Sequence, residues 1–233
     1  MTERLLPPLL AAALLVACGP PKVPMDEMRV RFAEAARDAA VAEPSEVVTD
    51  LPAAVPGNDE LVWGEDGRLK VVAWPARPGR LERRGMATRL ERDLWVTPAP
   101  GLEELCTRIA TGEAELLLRL EQLLGMPPGS GRGRTVVELW VEPFDVFRPC
   151  PDPDPTDSLC DLHAPLGDEH RRWFSAQEAA GAMPAGRLWT RLGYTYDWGN
   201  PYSEVGLPEL VVPAGTRVEV ARAEPTREYC RRD

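Results

Sequence analysis

Four cysteines, Cys106, Cys150, Cys160 and Cys230, are spread from residue 106 to near the end of this chain, and their redox state sets the strongest limit on its fold. The N-terminal end decides that state. Met1-Thr2-Glu3-Arg4 carries a positive charge ahead of an apolar run over residues 5–16 that Pro7-Pro8 interrupts. A membrane-crossing helix needs ~20 consecutive apolar residues, so this run reads as a secretory signal over residues 1–17. Export places the four thiols in an oxidising compartment, where an even number of them forms two disulfides. Three pairings are possible; the favoured one makes Cys150–Cys160 a local clasp and Cys106–Cys230 a staple for the C-terminal end. A zinc site would want closely spaced ligand pairs such as Cys-x₂-Cys, and the sequence has none.

The run closes on Leu15-Val16-Ala17-Cys18-Gly19. Leu15-Val16-Ala17-Cys18 resembles the lipobox of bacterial prolipoproteins. The resemblance implies cleavage before Cys18, a diacylglyceryl group on its thiol, and a mature protein held to a membrane by acyl chains. Each buried CH₂ contributes about 0.8 kcal/mol, so two or more chains hold firmly. In that family an Asp after the cysteine marks retention in the inner membrane; Gly19 stands there instead, which implies a cell-envelope location at the outer membrane, facing the periplasm or the surface, in a cell that has one.

A net charge of −10 argues against nucleic acid as a partner and against attraction to anionic headgroups. Residues 18–58 are rich in Pro, Ala, Glu and Val and read as a lipid-anchored tether. Met28, Phe32, Ala35, Ala36 and Ala39 fall at helical spacing within residues 25–41, a short amphipathic helix ended by Pro44. Residues 59–233 read as a single domain. Residues 61–63 and 69–74 bracket Gly64-Glu65-Asp66-Gly67 and predict a β-hairpin. Further strands are expected at 93–97, 135–141, 188–196 and 210–220, the last bent at Pro213-Ala214-Gly215. The apolar spacing turns helical over 102–106, and a clearer helix follows in which Thr111 caps leucines 116, 117, 120, 123 and 124. Strands with one or two inserted helices predict an α+β fold with a mainly antiparallel, disulfide-stabilised sheet.

Several segments could carry chemistry. Residues 149–161 place Asp152, Asp154, Asp157 and Asp161 in one cysteine-closed loop, a carboxylate density that hard cations favour. The EF-hand pattern fails, because Thr156, Asp157 and His163 occupy positions that want Asp or Asn, Gly and Glu. An acidic loop pinned by a disulfide is the expectation, with no metal and no cofactor. His163 and His170 lie near Asp168 and Glu169, but Ser130, Ser158, Ser175 and Ser203 stand outside any Gly-x-Ser-x-Gly elbow. Residues 129–135 lack the Lys of a phosphate-cradling loop and read as a flexible connection. Paired carboxylates for glycosidic cleavage would come from Asp145, Asp197, Glu204 or Glu209.

The densest chemistry is Trp189-Thr190-Arg191-Leu192-Gly193-Tyr194-Thr195-Tyr196-Asp197-Trp198-Gly199-Asn200. Strand alternation would put Trp189, Arg191, Gly193 and Thr195 on one face and Leu192, Tyr194 and Tyr196 on the other. Aromatic faces beside polar groups suit sugar or peptide recognition, so Arg191, Tyr194, Tyr196, Asp197 and Trp198 are the candidate ligand-binding residues. Residues 118–127, 147–153 and 189–199 resemble stretches of a family of uncharacterised exported bacterial proteins, over about residues 93–230. That resemblance implies a single exported domain and no particular activity. The expectation is a monomeric envelope lipoprotein with a non-catalytic binding or assembly role toward an envelope glycan or protein. A hydrolase of glycan or peptide using Asp197 and Glu204 is the alternative, and a purely structural anchor without any concave site is the third.

Overall fold

The computed structural model describes residues 23–109, 112–165, 167–179 and 186–231; Cys18, the residues before it and the expected cap Thr111 lie outside them. Among the described residues no helix is long and apolar enough to cross a membrane.

The fold is α+β around an antiparallel sheet. Its strands are β1 (Leu69–Ala73), β2 (Ala87–Arg89), β3 (Leu94–Pro98), β4 (Thr135–Val141), β7 (Leu210–Val212) and β8 (Arg217–Pro225), in the order β2-β8-β4-β1-β3-β7. A separate ribbon pairs β5 (Tyr194–Tyr196) with β6 (Val205–Pro208), also antiparallel. The hairpin expected before β1 forms with a minimal first arm. Gly64 and Lys70 amides donate to Arg68 and Val62 carbonyls, Trp63 bridges Leu69, and Gly67 supplies a φ of 83° that residues with a side chain rarely adopt.

Strand alternation gives the sheet two apolar faces. Leu69, Val71, Ala73, Val137, Leu139 and Val141 face one core, closed by Leu61, Leu81 and Leu90 from the connecting loops. Val72, Trp74 and Val136 face the other, where α2 (Gly101–Cys106) and α3 (Glu113–Leu123) pack with Leu102, Leu116, Leu120 and Leu123. Fully burying a leucine side chain contributes about 1.5–3 kcal/mol, which is enough to dock α3 without a side-chain cap at Gly112. The short α5 (Thr226–Tyr229) brings Cys230 to Cys106, with Cα atoms 5.1 Å apart, and Cys150 pairs with Cys160 at 6.3 Å.

Three expectations need correction. Residues 25–58 are packed rather than tethering: α1 (Met25–Asp38) sets Ala35 and its C-cap Ala39 on Leu188, and Phe32 meets Trp198 edge-on at 5.8 Å. Leu51 and Ala54 amides donate to Ser158 and Pro155 carbonyls at 2.9 and 2.7 Å. Alanines and prolines read as a linker because they carry little apolar bulk, yet small side chains permit this close approach. Second, residues 188–193 are not a strand: Arg191 takes a φ of 63°, so only Tyr194–Tyr196 pairs. Third, the expected set of elements lacks a helix: α4 (Asp168–Ala179) forms from a largely polar stretch whose main apolar anchors are Trp173 and Phe174.

The acidic loop is organised by a cation, and the cation is the chain's own Arg148. Its side chain is 2% exposed. Nη1 donates to Asp157 Oδ1 at 2.5 Å, Leu159 O at 2.9 Å and Asp154 O at 3.2 Å, and Nη2 to Asp157 O at 2.6 Å. Asp152, Asp154 and Asp161 accept from backbone amides two residues on, the turns their short side chains favour. Among the described residues no group of three or more His, Cys, Asp or Glu is placed to hold a metal.

Tyrosines close three parts of the fold. Tyr194 donates to Glu46 O, Tyr196 to Asp38 Oδ2 and Tyr229 to Glu138 Oε1. All three hydroxyls are pushed far above the usual tyrosine value, chiefly by burial and then by the carboxylates around them.

Two outcomes follow. Arg148→Leu leaves the Asp157 carboxylate and its neighbouring carbonyls without their donor and should lower unfolding free energy by about 3–5 kcal/mol in urea titration, while added Ca²⁺ leaves the wild-type melting temperature unchanged; a calcium-dependent rise of several degrees would contradict the loop's description. The raised tyrosines contribute stability that is complete below about pH 10, their unfolded value, and is lost as pH rises past it. Phenolate absorbance from three of the four tyrosines should therefore appear only together with loss of tertiary circular dichroism.

Candidate functional site

The residues first expected to bind a ligand are brought together, but their polar atoms turn toward the chain. Tyr194 is wholly buried. Trp198 Nε1 donates to Met126 O at 3.0 Å, and Arg119 grips both oxygens of the buried Asp197 at 2.7 and 2.5 Å. Arg191 lies over the Trp189 ring at 4.8 Å and donates to Ala39 O. What remains open beside them is a wide polar concavity of about 510 Å³ bordered by Tyr196, Asp197, Trp198, Asp38, Tyr202 and Glu204. Glu46, at the back of this acidic patch, has its carboxyl raised by burial, its backbone hydrogen bond from Glu43 acting in the opposite direction.

The four carboxylates considered for glycosidic cleavage do not assemble a free pair. Glu209 is 1% exposed and ion-paired with Arg187, and Asp197 belongs to Arg119. Asp145 ends the turn Pro143–Asp145, away from the Asp197–Glu204 concavity.

A better-built cleft lies on the other side of the β5 ribbon, at the end of the main sheet. Its floor is the C-terminal end of β1 with Trp74, and β3 with Trp95 and Thr97; Leu102, Leu124, Met126 and Thr195 form its apolar and inner walls, and Arg134 and Arg187 close it. Its volume is about 390 Å³, within the size range of small-molecule sites.

Each part of it is positioned by the fold. Glu121, on the buried face of α3, accepts from the Gly129 and Gly131 amides at 2.8 and 2.5 Å, so residues 129–134 are pinned, not flexible. Gly131 is required there, because a Cβ would sit 2.7 Å from Trp74 and 2.9 Å from Glu121. The pinned loop offers Ser130 O to Arg134 Nε at 2.8 Å, and Trp74 O takes Nη1 at 2.7 Å. Trp74 is fixed in turn through Nε1 to Thr226 Oγ1 at 2.8 Å. Trp95 leans on Trp173 and Trp189, with centroids at 5.9 and 6.1 Å. Asp93, at the rim, is occupied by the Trp173 indole and the Ala214 amide.

Electrostatically the cleft inverts the character of the chain. Arg77, Arg92, Arg134 and Arg187 line it beside the single carboxylate Asp93. Counting the buried Glu121 and Glu209 behind its wall, a surplus of one positive charge remains, in a protein whose net charge is −10. Burial pushes the Arg187 guanidinium down to about 10, and the charge of Arg134 acts in the same direction. Burial also lowers Arg134, with Glu121 opposing. Buried polar groups are nearly always hydrogen-bonded, yet Arg187 Nε, Thr97 Oγ1 and both carboxylate oxygens of Glu209, the ion-pair partner of Arg187, have no hydrogen-bond partner among the described residues.

The sequence reading missed this cleft. In the sequence Trp74 and Thr97 look like strand residues, Arg134 belongs to a loop, and Arg187 carries no signal; nothing local joins positions so far apart in the chain. The arrangement can hold and orient a ligand: it offers aromatic and aliphatic walls, guanidinium donors and a hydroxyl, with no histidine, cysteine or free carboxylate among its lining residues to transfer a proton or attack. The chain matches no protein-family model, no curated protein and no solved structure.

Proposed function

We propose that this chain is a lipid-anchored envelope protein with a non-catalytic binding role, held at the membrane through acyl chains on Cys18, and that the cleft between Trp74, Trp95, Arg134 and Arg187 is its binding site. The anchor rests on the likeness of Leu15-Val16-Ala17-Cys18 to a lipobox. The binding role rests on one observation above the others: a buried guanidinium nitrogen and a buried hydroxyl, both from residues lining an open cleft, lack acceptors among the described residues. Leaving such groups unpaired costs about 1–3 kcal/mol each, a cost that a ligand recovers. Asp197 and Glu209 are each neutralised by an arginine, so no specific observation favours hydrolysis.

Mass spectrometry of the protein purified from membranes of an expressing bacterial cell tests both halves. The N-terminal peptide should begin at Cys18 and carry acyl mass, which Cys18→Ala abolishes. Native spectra of the wild type should show a small molecule bound one to one, lost in Trp95→Ala. An unmodified N-terminal peptide would overturn the anchor, and a ligand retained in Trp95→Ala would move the site.

A further inference from the structure

The chemistry of this cleft narrows the ligand. We infer that it takes a small organic anion with an apolar body, a singly charged carboxylate on an alkyl or aromatic group, its head on Arg187 and Thr97 and its body among Leu102, Leu124 and Met126. The inference rests on the binding reading above and deepens it.

Three observations carry it together. Of the four buried side-chain atoms without a hydrogen-bond partner among the described residues, both Glu209 carboxylate oxygens belong to the ion pair with Arg187, and the other two, Arg187 Nε and the Thr97 hydroxyl, are donors able to meet an oxyanion. A guanidinium has five N–H donors and no acceptor capacity, so an electron-rich oxygen is the partner it lacks. Arg134 adds to this, since its Nε and Nη1 are taken by carbonyls while Nη2 has no hydrogen-bond partner among the described residues. Second, the charge balance leaves room for one negative charge. Glu209 is committed to Arg187 and Glu121 to the 129–131 loop, yet Arg77, Arg92 and Arg134 have no ion-pair partner among the described residues. Third, most of the remaining lining is apolar, with Trp74 and Trp95 carrying the Arg134 and Arg187 guanidiniums over their rings at 5.4 and 5.5 Å. Stacking of this kind fixes a guanidinium's plane while leaving its edge free for an anion. A bare inorganic anion would leave that apolar wall unused, and a sugar would leave the surplus charge unmet.

The probes are decanoate, decanol and decyltrimethylammonium, of similar chain length and different head charge, titrated calorimetrically into residues 23–233 secreted to an oxidising compartment. That part contains every core cluster of the described residues and both disulfides. Decanoate should bind one to one and at least tenfold more tightly than decanol, and the cation should not bind. Thr97→Val separates ligand binding from folding. It removes a buried, unpartnered hydroxyl, so it should raise the melting temperature and yet weaken decanoate by about tenfold, the scale of one hydrogen bond to a charged group, leaving decanol unchanged. The double variant Arg187→Gln with Glu209→Gln keeps a neutral buried pair and should abolish the preference for decanoate over decanol. Equal binding of decanoate and decanol would overturn the anionic class while leaving a binding cleft. Decanoate binding that Thr97→Val and the double variant both leave unchanged would overturn the assignment of its head to these residues. Absence of binding by all three probes would overturn the ligand class; a co-purified neutral molecule in the membrane-derived protein would then keep the binding reading alone.

Discussion

Burying a guanidinium costs several kcal/mol unless its donors are met, and this fold meets that constraint at three arginines in three ways. Arg148 is the most complete. Carbonyls from the acidic loop and the Asp157 carboxylate surround its two terminal nitrogens, and Pro52 O joins from the N-terminal segment at 3.5 Å. That one side chain ties residues 51–54, the disulfide loop and the end of β4's following turn into a single unit, and the third core cluster, with Leu51, Cys150, Cys160 and Tyr194, packs around the result. Arg134 is met in part, by two carbonyls and a tryptophan ring. Arg187 has a carboxylate and a ring, but keeps a buried nitrogen without an acceptor among the described residues. The gradient runs from Arg148, whose donors are met by the acidic loop, to Arg187, which has a buried donor to spare among the described residues.

The cleft depends on that same economy of buried charge. Glu121 sits on the inner face of α3, where a carboxylate is tolerated because two loop amides satisfy it. Through them it fixes Ser130 and so Arg134. Trp95 joins the cleft to a second framework, the ring cluster of Phe147, His170, Trp173, Phe174 and Trp189. His170, stacked on Trp173, is hydrogen-bonded to the Cys150 carbonyl through Nε2 at 2.7 Å, so it belongs to the packing of α4 and of the disulfide loop. The site is thus held from one side by a helix and from the other by rings, which is the rigidity a binding cleft needs to present its donors in place.

The elements whose periodicity is unbroken were legible in the sequence. β4 over residues 135–141, α3 with its leucine stripe and the hairpin at Gly64–Gly67 follow from local pattern; the count of thiols implies two disulfides, and of the three possible pairings the favoured one is the one that forms. What escaped had no local signature. α4 is largely polar, with its apolar anchors side by side at Trp173 and Phe174 and no stripe. The alternation drawn through residues 189–195 failed because Arg191 adopts a left-handed φ, which no pattern of apolar residues discloses. The Tyr194–Trp198 cluster drew notice as a recognition surface because rings beside polar groups are common in binding sites, but the same rings close the contact with α1, Glu46 and Met126. The cleft was illegible for a different reason: Trp74, Thr97, Arg134 and Arg187 come from four distant stretches, and only the sheet order places them together.

The central claim is that the unpartnered donors of Arg187 and Thr97 exist to receive an anion. A crystal structure of residues 23–233 grown with a bromine-tagged decanoate tests it most directly. The account expects a bromine signal among Leu102, Leu124 and Met126, with the carboxylate in hydrogen-bonding reach of Arg187 Nε and Thr97 Oγ1. A bromine signal elsewhere, with the cleft empty at saturating ligand, would contradict it.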